Sequence, residues 1–101
     1  MGYAFPQFTG PQRRLLRIVA DSGDVGVSAR KAAELMWPDS SSWQHPTRRG
    51  RRRAVVFGQG AQLRAGEMLS RLHDAGMVSR GGAGWRSTPA CHEYLSAGRL
   101  L

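Results

Sequence analysis

The sequence predicts one mainly helical domain that carries a small β-hairpin near its C-terminal end. Apolar residues recur at three- and four-residue spacing in several segments, which is the periodicity of an amphipathic helix. Capping residues and glycines stand at the ends of those segments. Two short strand-like stretches flank the glycine-rich run 81–84, as in a hairpin. A chain of 101 residues suffices for one core, so we expect a single domain over 1–101.

The first helix is predicted to follow an extended aromatic lead-in over residues 1–8. Thr9 and Gln12 have the spacing of a capping box, and Pro11 suits the first turn. The pair Ser22-Gly23 is a stop signal, because glycine readily takes the left-handed conformation that follows many helices. The apolar stripe between these signals comprises Leu15, Leu16, Ile18 and Val19.

A second helix is predicted over 29–37. Ser28 is its N-cap, and the residue before Pro38 disfavours helical backbone. The segment 25–27 before this helix is predicted as a short strand. After the helix, residues 38–60 are rich in Ser, Pro, Gly and Arg, which predicts a long, irregular basic loop. The residues expected to anchor this loop to the core are Trp43, Val55, Val56 and Phe57.

A third helix is predicted over 61–75, with Gly76 as its C-cap. Its apolar face comprises Ala61, Ala65, Met68, Leu69, Leu72 and Ala75. The opposite face carries Leu63, Gly66, Glu67, Ser70 and Asp74, with Gln62, Arg64 and Arg71 beside it. The predicted hairpin follows, with strands over 77–80 and 85–87 around the turn 81–84. Thr88 then caps a last helix that has Pro89 at its first position and ends at Gly98.

Charge is the feature that points most directly to function. The net charge is +8, and five of the fourteen arginines fall within six residues. These five are Arg48, Arg49, Arg51, Arg52 and Arg53, and no acidic residue lies between Asp39 and Glu67. A small chain this basic is typical of nucleic-acid-binding proteins. A GC-rich genome would explain the excess of arginine over lysine but not the clustering. Two interpretations of the run stay open, a solvated loop and a phosphate-contacting arm.

The sequence offers no motif for catalysis, a metal or a cofactor. Cys91 is the one cysteine, and no second ligand stands at zinc-site spacing from it. The run 58–60 lacks the lysine of a phosphate-binding loop. The longest apolar stretch, 54–57, is far shorter than the ~20 residues of a membrane span. We therefore expect a cytoplasmic, nucleoid-associated protein that is not an enzyme and has no metal, cofactor, membrane segment or small-molecule effector.

The run 72–80 followed by 84–88 resembles the winged helix-turn-helix family. Members often read Leu, two polar residues, Ala-Gly-Leu-Val, a basic residue, a glycine-rich turn, an aromatic residue and Leu-Thr. The matching positions are Leu72, Ala75, Gly76, Met77, Val78, Arg80, Trp85 and Thr88. The resemblance covers most of residues 9–97 and implies a mainly α, single-domain winged helix with a small β-hairpin wing. One feature departs from the family, since about 23 residues replace the usual short turn between helices two and three.

The resemblance implies a DNA-binding domain with helix 61–75 in the major groove and the wing, through Arg80 and Arg86, on the backbone or minor groove. The residue types fit, because Gln pairs with adenine, Arg with guanine, and an exposed Leu contacts the thymine methyl group. The predicted base contacts are Gln62, Leu63, Arg64, Gly66 and Ser70. The predicted phosphate contacts are Arg48, Arg49, Arg51, Arg52, Arg53, Gln59, Arg71, Arg80 and Arg86. The predicted partner is double-stranded DNA, and the predicted function is that of a small bacterial or bacteriophage transcriptional regulator.

Several alternatives stay open. The arginine run suits RNA or any nucleic acid, and a winged helix also suits an acidic protein partner. Glu67 and Asp74 repel phosphate, so they either lie away from DNA or pair with the arginine loop folded across the helix. In that second arrangement Leu63 packs beneath the loop. The aromatic lead-in, together with Leu100 and Leu101, offers a small apolar patch for a homodimer.

Overall fold

Four α-helices and two short antiparallel hairpins form the fold in a computed structural model that describes residues 7–49 and 54–99. The elements in chain order are α1 (Gly10–Asp21), α2 (Ala29–Met36), β1 (Pro46–Arg49), β2 (Ala54–Phe57), α3 (Gln59–Asp74), β3 (Val78–Gly81), β4 (Gly84–Ser87) and α4 (Pro89–Arg99). Two 3-10 turns, Gly23–Val25 and Ser41–Gln44, lie between them. The expectation of a mainly helical chain with a small antiparallel sheet is confirmed. None of the described helices is long and apolar enough to cross a membrane.

The start of α1 is fixed by the predicted capping box. The backbone N–H of Gln12 donates to Thr9 Oγ1 at 3.3 Å, and the Thr9 backbone N–H donates to Gln12 Oε1 at 2.9 Å. Leu15, Leu16 and Val19 are fully buried on its inner face. Of the predicted lead-in, Phe8 packs edge-on against Tyr94 with ring centroids 5.1 Å apart, whereas residues 1–6 lie outside the described residues.

Helix α2 begins after Ser28, whose hydroxyl accepts the backbone N–H of Lys31 at 3.0 Å. It ends at Met36, one residue before the predicted end. The prediction of a strand over 25–27 is wrong, because residues 23–25 form a 3-10 turn. Only Val27 makes a β-bridge, to Trp85, through backbone hydrogen bonds of 2.8 and 2.9 Å.

The segment 38–60 differs most from the sequence prediction of an irregular loop. It contains the 3-10 turn Ser41–Gln44 and an antiparallel hairpin in which Pro46 pairs with Phe57 and Arg49 with Ala54. Strand formation has a simple reason, since Val55, Val56 and Phe57 favour extended backbone and pairing satisfies backbone groups of β1. Trp43 anchors the segment as expected. Val55 and Phe57 do not, because they remain 53% and 45% exposed.

One buried cluster joins α1, α2, α3, the second hairpin and α4. Its members are Leu15, Leu16, Val19, Val27, Ala32, Met36, Leu69, Leu72, Met77, Val78, Trp85 and Cys91. A second, smaller cluster lies where α2 meets α3 and consists of Ala33, Ala61 and Ala65. Since alanine side chains are short, they let the two helices approach closely, and Trp37 and Trp43 cover the seam.

The C-terminal half follows the prediction closely. Helix α3 starts two residues earlier than expected and ends at Asp74, followed by Gly76 with a φ of +79°. Strands β3 and β4 pair in the register Val78 with Ser87 and Gly81 with Gly84. The Thr88 hydroxyl accepts the backbone N–H of Cys91 at 3.3 Å, as a cap should. The predicted stop at Gly98 is wrong, because α4 continues to Arg99.

Candidate nucleic-acid interface

The outward face of α3 is unusually free of packing for a central helix. Ala61, Ala65, Leu69 and Leu72 are buried on its inner side. On the outer side, Glu67, Ser70 and Asp74 are exposed, and Leu63 is 52% exposed. The alternative in which Leu63 packs beneath the 38–60 segment therefore does not describe this structure.

A groove of about 390 Å³ separates this face from the hairpin β3–β4. Its lining residues are Ala29, Gln62, Leu63, Gly66, Glu67, Ser70, Arg80 and Trp85. Arg80 and Trp85 are direct cross-strand partners, and the Arg80 guanidinium carbon lies 4.5 Å from the centroid of the Trp85 ring. The buried Trp85 ring thus holds a cation at the rim of the groove, because the face of an aromatic ring attracts positive charge. Four of the five predicted base contacts line this groove, and Arg64 does not.

The hairpin β3–β4 is attached to the body of the protein rather than projecting freely. The Ala83 backbone N–H donates to the Val25 carbonyl at 2.8 Å. Gly82 has a φ of +57°, and a Cβ there would overlap that carbonyl oxygen, so the turn requires glycine. Arg86 lies on the opposite hairpin face from Arg80, and a Cβ on Gly81 would lie only 2.5 Å from Arg86 Nε. The two predicted wing arginines therefore do not share the groove.

The start of α3 is held by contacts that the sequence did not predict. The Trp43 indole N–H donates to the Trp37 carbonyl at 2.7 Å. Ser42 accepts twice, at its carbonyl from Gly58 N–H (2.9 Å) and at its hydroxyl from Ala61 N–H (3.1 Å). One donor of the first helical turn is thus already satisfied by protein. Gln59, a predicted phosphate contact, is half-buried at the first position of α3.

The sequence also did not predict the contacts of Arg30. Its Nη1 donates to the Phe57 carbonyl at 2.9 Å and to Gln62 Oε1 at 3.4 Å. Its guanidinium carbon also lies 5.4 Å from the Trp43 ring centroid. Because these partners lie 27 and 32 residues along the chain, no local sequence signal marks this contact. Gln62, predicted to read adenine, therefore already shares its carbonyl oxygen with Arg30.

The remaining predicted phosphate contacts fall in different places. Arg71 is exposed on α3, near the end opposite Gln59. Arg48 and Arg49 belong to strand β1. The predicted phosphate contacts Arg51, Arg52 and Arg53 lie outside the described residues. Both salt bridges found within the described part share Glu34, so neither involves α3 or the hairpin β3–β4.

The described residues bring together no group of His, Cys, Asp and Glu that could hold a metal ion. Cys91 is fully buried in α4, and its Sγ lies 3.9 Å from the Leu16 carbonyl oxygen. Burial raises the pKa of the Cys91 thiol to about 11, so the group stays protonated at neutral pH. A protonated thiol is a poor nucleophile, and this cysteine packs as a small apolar residue.

Comparisons with protein-family models, with curated proteins and with solved structures returned no match.

Proposed function

We propose that the protein is a winged helix domain that binds double-stranded DNA and acts as a small transcriptional regulator. In this proposal α3 enters the major groove and the hairpin β3–β4 is the wing. The observation that carries it is the free outer face of α3, which borders a groove with Arg80 held over Trp85 at its rim. The net charge of +8 supplies the attraction to a polyanion.

The shape of this face suits the dimensions of DNA. A helix with its side chains is about 10–12 Å across, and the major groove of B-DNA is about 12 Å wide. Gly66 has no neighbouring atom within 4 Å of the position that a Cβ would take. That open space, together with the short side chain of Ser70, lets base edges approach the helix backbone.

Each exposed side chain at the centre of the face has a base partner of matching chemistry. Leu63 can contact the methyl group of thymine, and Ser70 can donate to or accept from a base edge. Glu67 can accept a hydrogen bond from the amino group of cytosine. Glu67 lies at the middle of the face, so in this mode it points at bases rather than phosphates. Its negative charge then contributes to specificity instead of opposing binding.

A second candidate function is binding to RNA or to nucleic acid of any sequence through the hairpin β1–β2. Strand β1 carries Arg48 and Arg49, and the sequence adds three arginines between the strands. A two-stranded ribbon rich in arginine fits a groove or a folded RNA through phosphate contacts. In this case the outer face of α3 has no role in binding, which separates the two candidates.

The test is fluorescence anisotropy of a labelled duplex, titrated from about 50 to about 200 mM salt with a matched RNA competitor. Six to eight phosphate contacts predict a log–log slope of about −5 to −7. A duplex selected from random sequences should bind far better than a random duplex, by about 10³-fold or more. Equal binding to both would remove sequence-specific regulation from the proposal, and equal competition by RNA would favour the second candidate.

Leu63→Ala is the variant that asks whether α3 is the reading element. It should reduce discrimination between selected and random duplexes. Leu35→Ala is the matched control, since Leu35 is a 46% exposed leucine on α2 that does not line this groove. If both variants bind like the parent while replacement of the five clustered arginines by alanine abolishes binding, the second candidate is correct.

A further inference from the structure

A second groove, of about 570 Å³, lies between α1, the end of α2 and the first turns of α3. Its lining residues are Arg14, Met36, Trp37, Pro38, Asp39, Ser40, Ser42, Gly60, Ala61 and Arg64. It shares no lining residue with the groove beside the hairpin β3–β4. Arg64 follows Leu63 directly, and successive residues of a helix project about 100° apart. The second groove therefore lies on one flank of the outer face of α3.

Two guanidinium groups enter this groove from different helices. The Arg64 guanidinium carbon lies 5.6 Å from the centroid of the Trp37 ring. Arg14 Nη2 lies 3.5 Å from the Leu35 carbonyl oxygen. Each guanidinium has five N–H donors, so these contacts position the groups and leave most donors for a ligand. Neither arginine takes part in a salt bridge with a described residue.

The groove also contains two hydroxyl groups that can donate a hydrogen bond. Ser40 Oγ accepts the Ser42 backbone N–H at 3.2 Å, and Ser42 Oγ accepts the Ala61 backbone N–H at 3.1 Å. Because each oxygen accepts from backbone, each O–H remains as a donor. Asp39 is the one acidic residue of the lining, which leaves the lining with a net charge of +1. A site rich in donors and positive in charge fits an anion with several acceptor oxygens.

We propose that this groove binds one phosphate of the DNA strand that borders α3, with Arg14 and Arg64 as its contacts. The proposal rests on the proposed DNA-binding function. It gives Arg64 a different role from the guanine contact that the sequence predicted, and it adds Arg14, which the sequence did not single out. A helix in the major groove has phosphates on both sides. Arg80 then faces one strand, and Arg14 with Arg64 faces the other.

The first test compares the salt dependence of duplex binding by Arg14→Ala and Arg64→Ala. Each variant should lose about 0.9 from the log–log slope. That change corresponds to about eightfold weaker binding at 0.1 M salt relative to a 1 M reference. The loss should be the same for selected and random duplexes, because a phosphate carries no sequence information. Arg17→Ala is the control, since Arg17 is an exposed arginine of α1 that lines neither groove.

Two conservative variants keep the proposal testable if the alanine variants are unstable. Arg64→Lys should retain the slope, because lysine also binds phosphate as a point charge. A guanine contact would instead lose its bidentate geometry, and Arg64→Lys would then change the base preferred at one position. Asp39→Asn should tighten binding to all duplexes. A changed base preference in Arg64→Lys, or weaker binding by Asp39→Asn, overturns the proposal.

A chemical change in the DNA gives an independent measurement. A neutral methylphosphonate replaces one phosphate at a time along the selected duplex. At the phosphate that occupies the groove, this replacement should weaken duplex binding by the parent protein but should not weaken binding by Arg64→Ala any further. Suppose the parent binds duplex with a steep salt slope, but no methylphosphonate position weakens the parent while leaving Arg64→Ala unchanged. The groove proposal then fails while the proposed function stands. If the parent shows no salt-dependent duplex binding, the proposed function itself fails.

Discussion

Replacing Gly58 by alanine should destabilise the protein by about 3–4 kcal/mol through two separate effects. Gly58 precedes α3 with a φ of +74°, in the left-handed region that costs a residue with a Cβ about 1–2 kcal/mol. The added Cβ would also overlap Cε3 and Cζ3 of Trp43 and lie 2.9 Å from Cδ2. The rigid indole ring therefore has to move out of its position.

Moving Trp43 removes three interactions at once. The indole hydrogen bond to the Trp37 carbonyl, at 2.7 Å, is worth about 1 kcal/mol net. The Arg30 guanidinium at 5.4 Å from the ring adds about 0.5–1 kcal/mol. The ring also packs on the cluster of alanines between α2 and α3. These losses together account for about 2 kcal/mol beyond the backbone cost, which gives the total above.

Urea denaturation followed by far-UV circular dichroism measures the effect, and a double-mutant cycle isolates its cause. In a Trp43→Ala background the clash is absent, so Gly58→Ala should cost only about 1–2 kcal/mol. The coupling energy between the two sites should therefore be about 2 kcal/mol. An equal cost in both backgrounds would refute the steric argument, and a cost below about 1 kcal/mol in the parent would refute both parts of it. Gly66→Ala is the control, because this helical glycine has no atom within 4 Å of a new Cβ.

Further outcomes follow from the same structure. Gly66→Ala should raise the free energy of unfolding by about 0.5–1 kcal/mol. It should also weaken duplex binding, because the added Cβ fills the space through which the bases approach. A variant that is both more stable and tighter in binding would contradict the proposal that the outer face of α3 contacts bases. Glu67→Gln should change the preferred base at one position, whereas uniform tightening to every duplex would show that the carboxylate only repels phosphate. Replacing one thymine of the selected site by uracil removes the methyl group that Leu63 is proposed to contact. This should weaken duplex binding by the parent but not by Leu63→Ala, as measured by anisotropy. The Cys91 thiol, with its pKa raised from 9.0 to about 11, should resist thiol reagents until the protein unfolds. The unfolded state loses this proton first, so stability should fall as the pH rises from 9 to about 11, and a Cys91→Ala variant should lose that dependence.

Local signals predicted the elements whose determinants lie within a few residues of one another. The capping box of Thr9 and Gln12, the cap at Ser28 and the Thr88-Pro89 start of α4 are all visible in the sequence. Their partners are three residues apart, so the spacing alone defines the hydrogen bond. Helical periodicity predicted the buried residues of α3 for the same reason, but Ala75, also placed on the apolar face, is exposed just after the helix ends.

The hairpin β1–β2 was not predicted because its segment lacks the signal that marked β3–β4, a glycine-rich turn between two strand-like stretches. The arginine run instead gives the segment the composition of a loop. The contact of Trp43 with Gly58 was missed for a different reason, since it depends on the tertiary fold. Sequence spacing cannot show that one ring fills the space beside a glycine fifteen residues later.

The flanks of the candidate site required the structure for a related reason. Periodicity places Gln62 and Arg64 beside the outer face of α3 but does not say what they meet. Gln62 meets Arg30 from α2, and Arg64 meets Trp37 just after α2. These tertiary partners change the chemistry assigned to each side chain, because they occupy part of its hydrogen-bonding capacity or fix its direction. Leu63, Gly66 and Ser70 at the centre of the face have no such partner among the described residues, and their base contacts stay predictions.

The long segment between α2 and α3 strengthens the attachment of α3 rather than loosening it. Ser42 holds Gly58 and Ala61, and Arg30 joins the Phe57 carbonyl to Gln62. The approach of α2 to α3 is set by small buried side chains, which do not depend on the length of the connection. In the proposed mode, the strand β2 therefore leads directly into the first turn of the reading helix. Phosphate contacts made by the arginines of the hairpin β1–β2 would then fix the depth at which α3 enters the major groove of the DNA. Removing those arginines should accordingly lower affinity for every duplex, and it should also reduce discrimination if the hairpin sets the register of α3 on the bases.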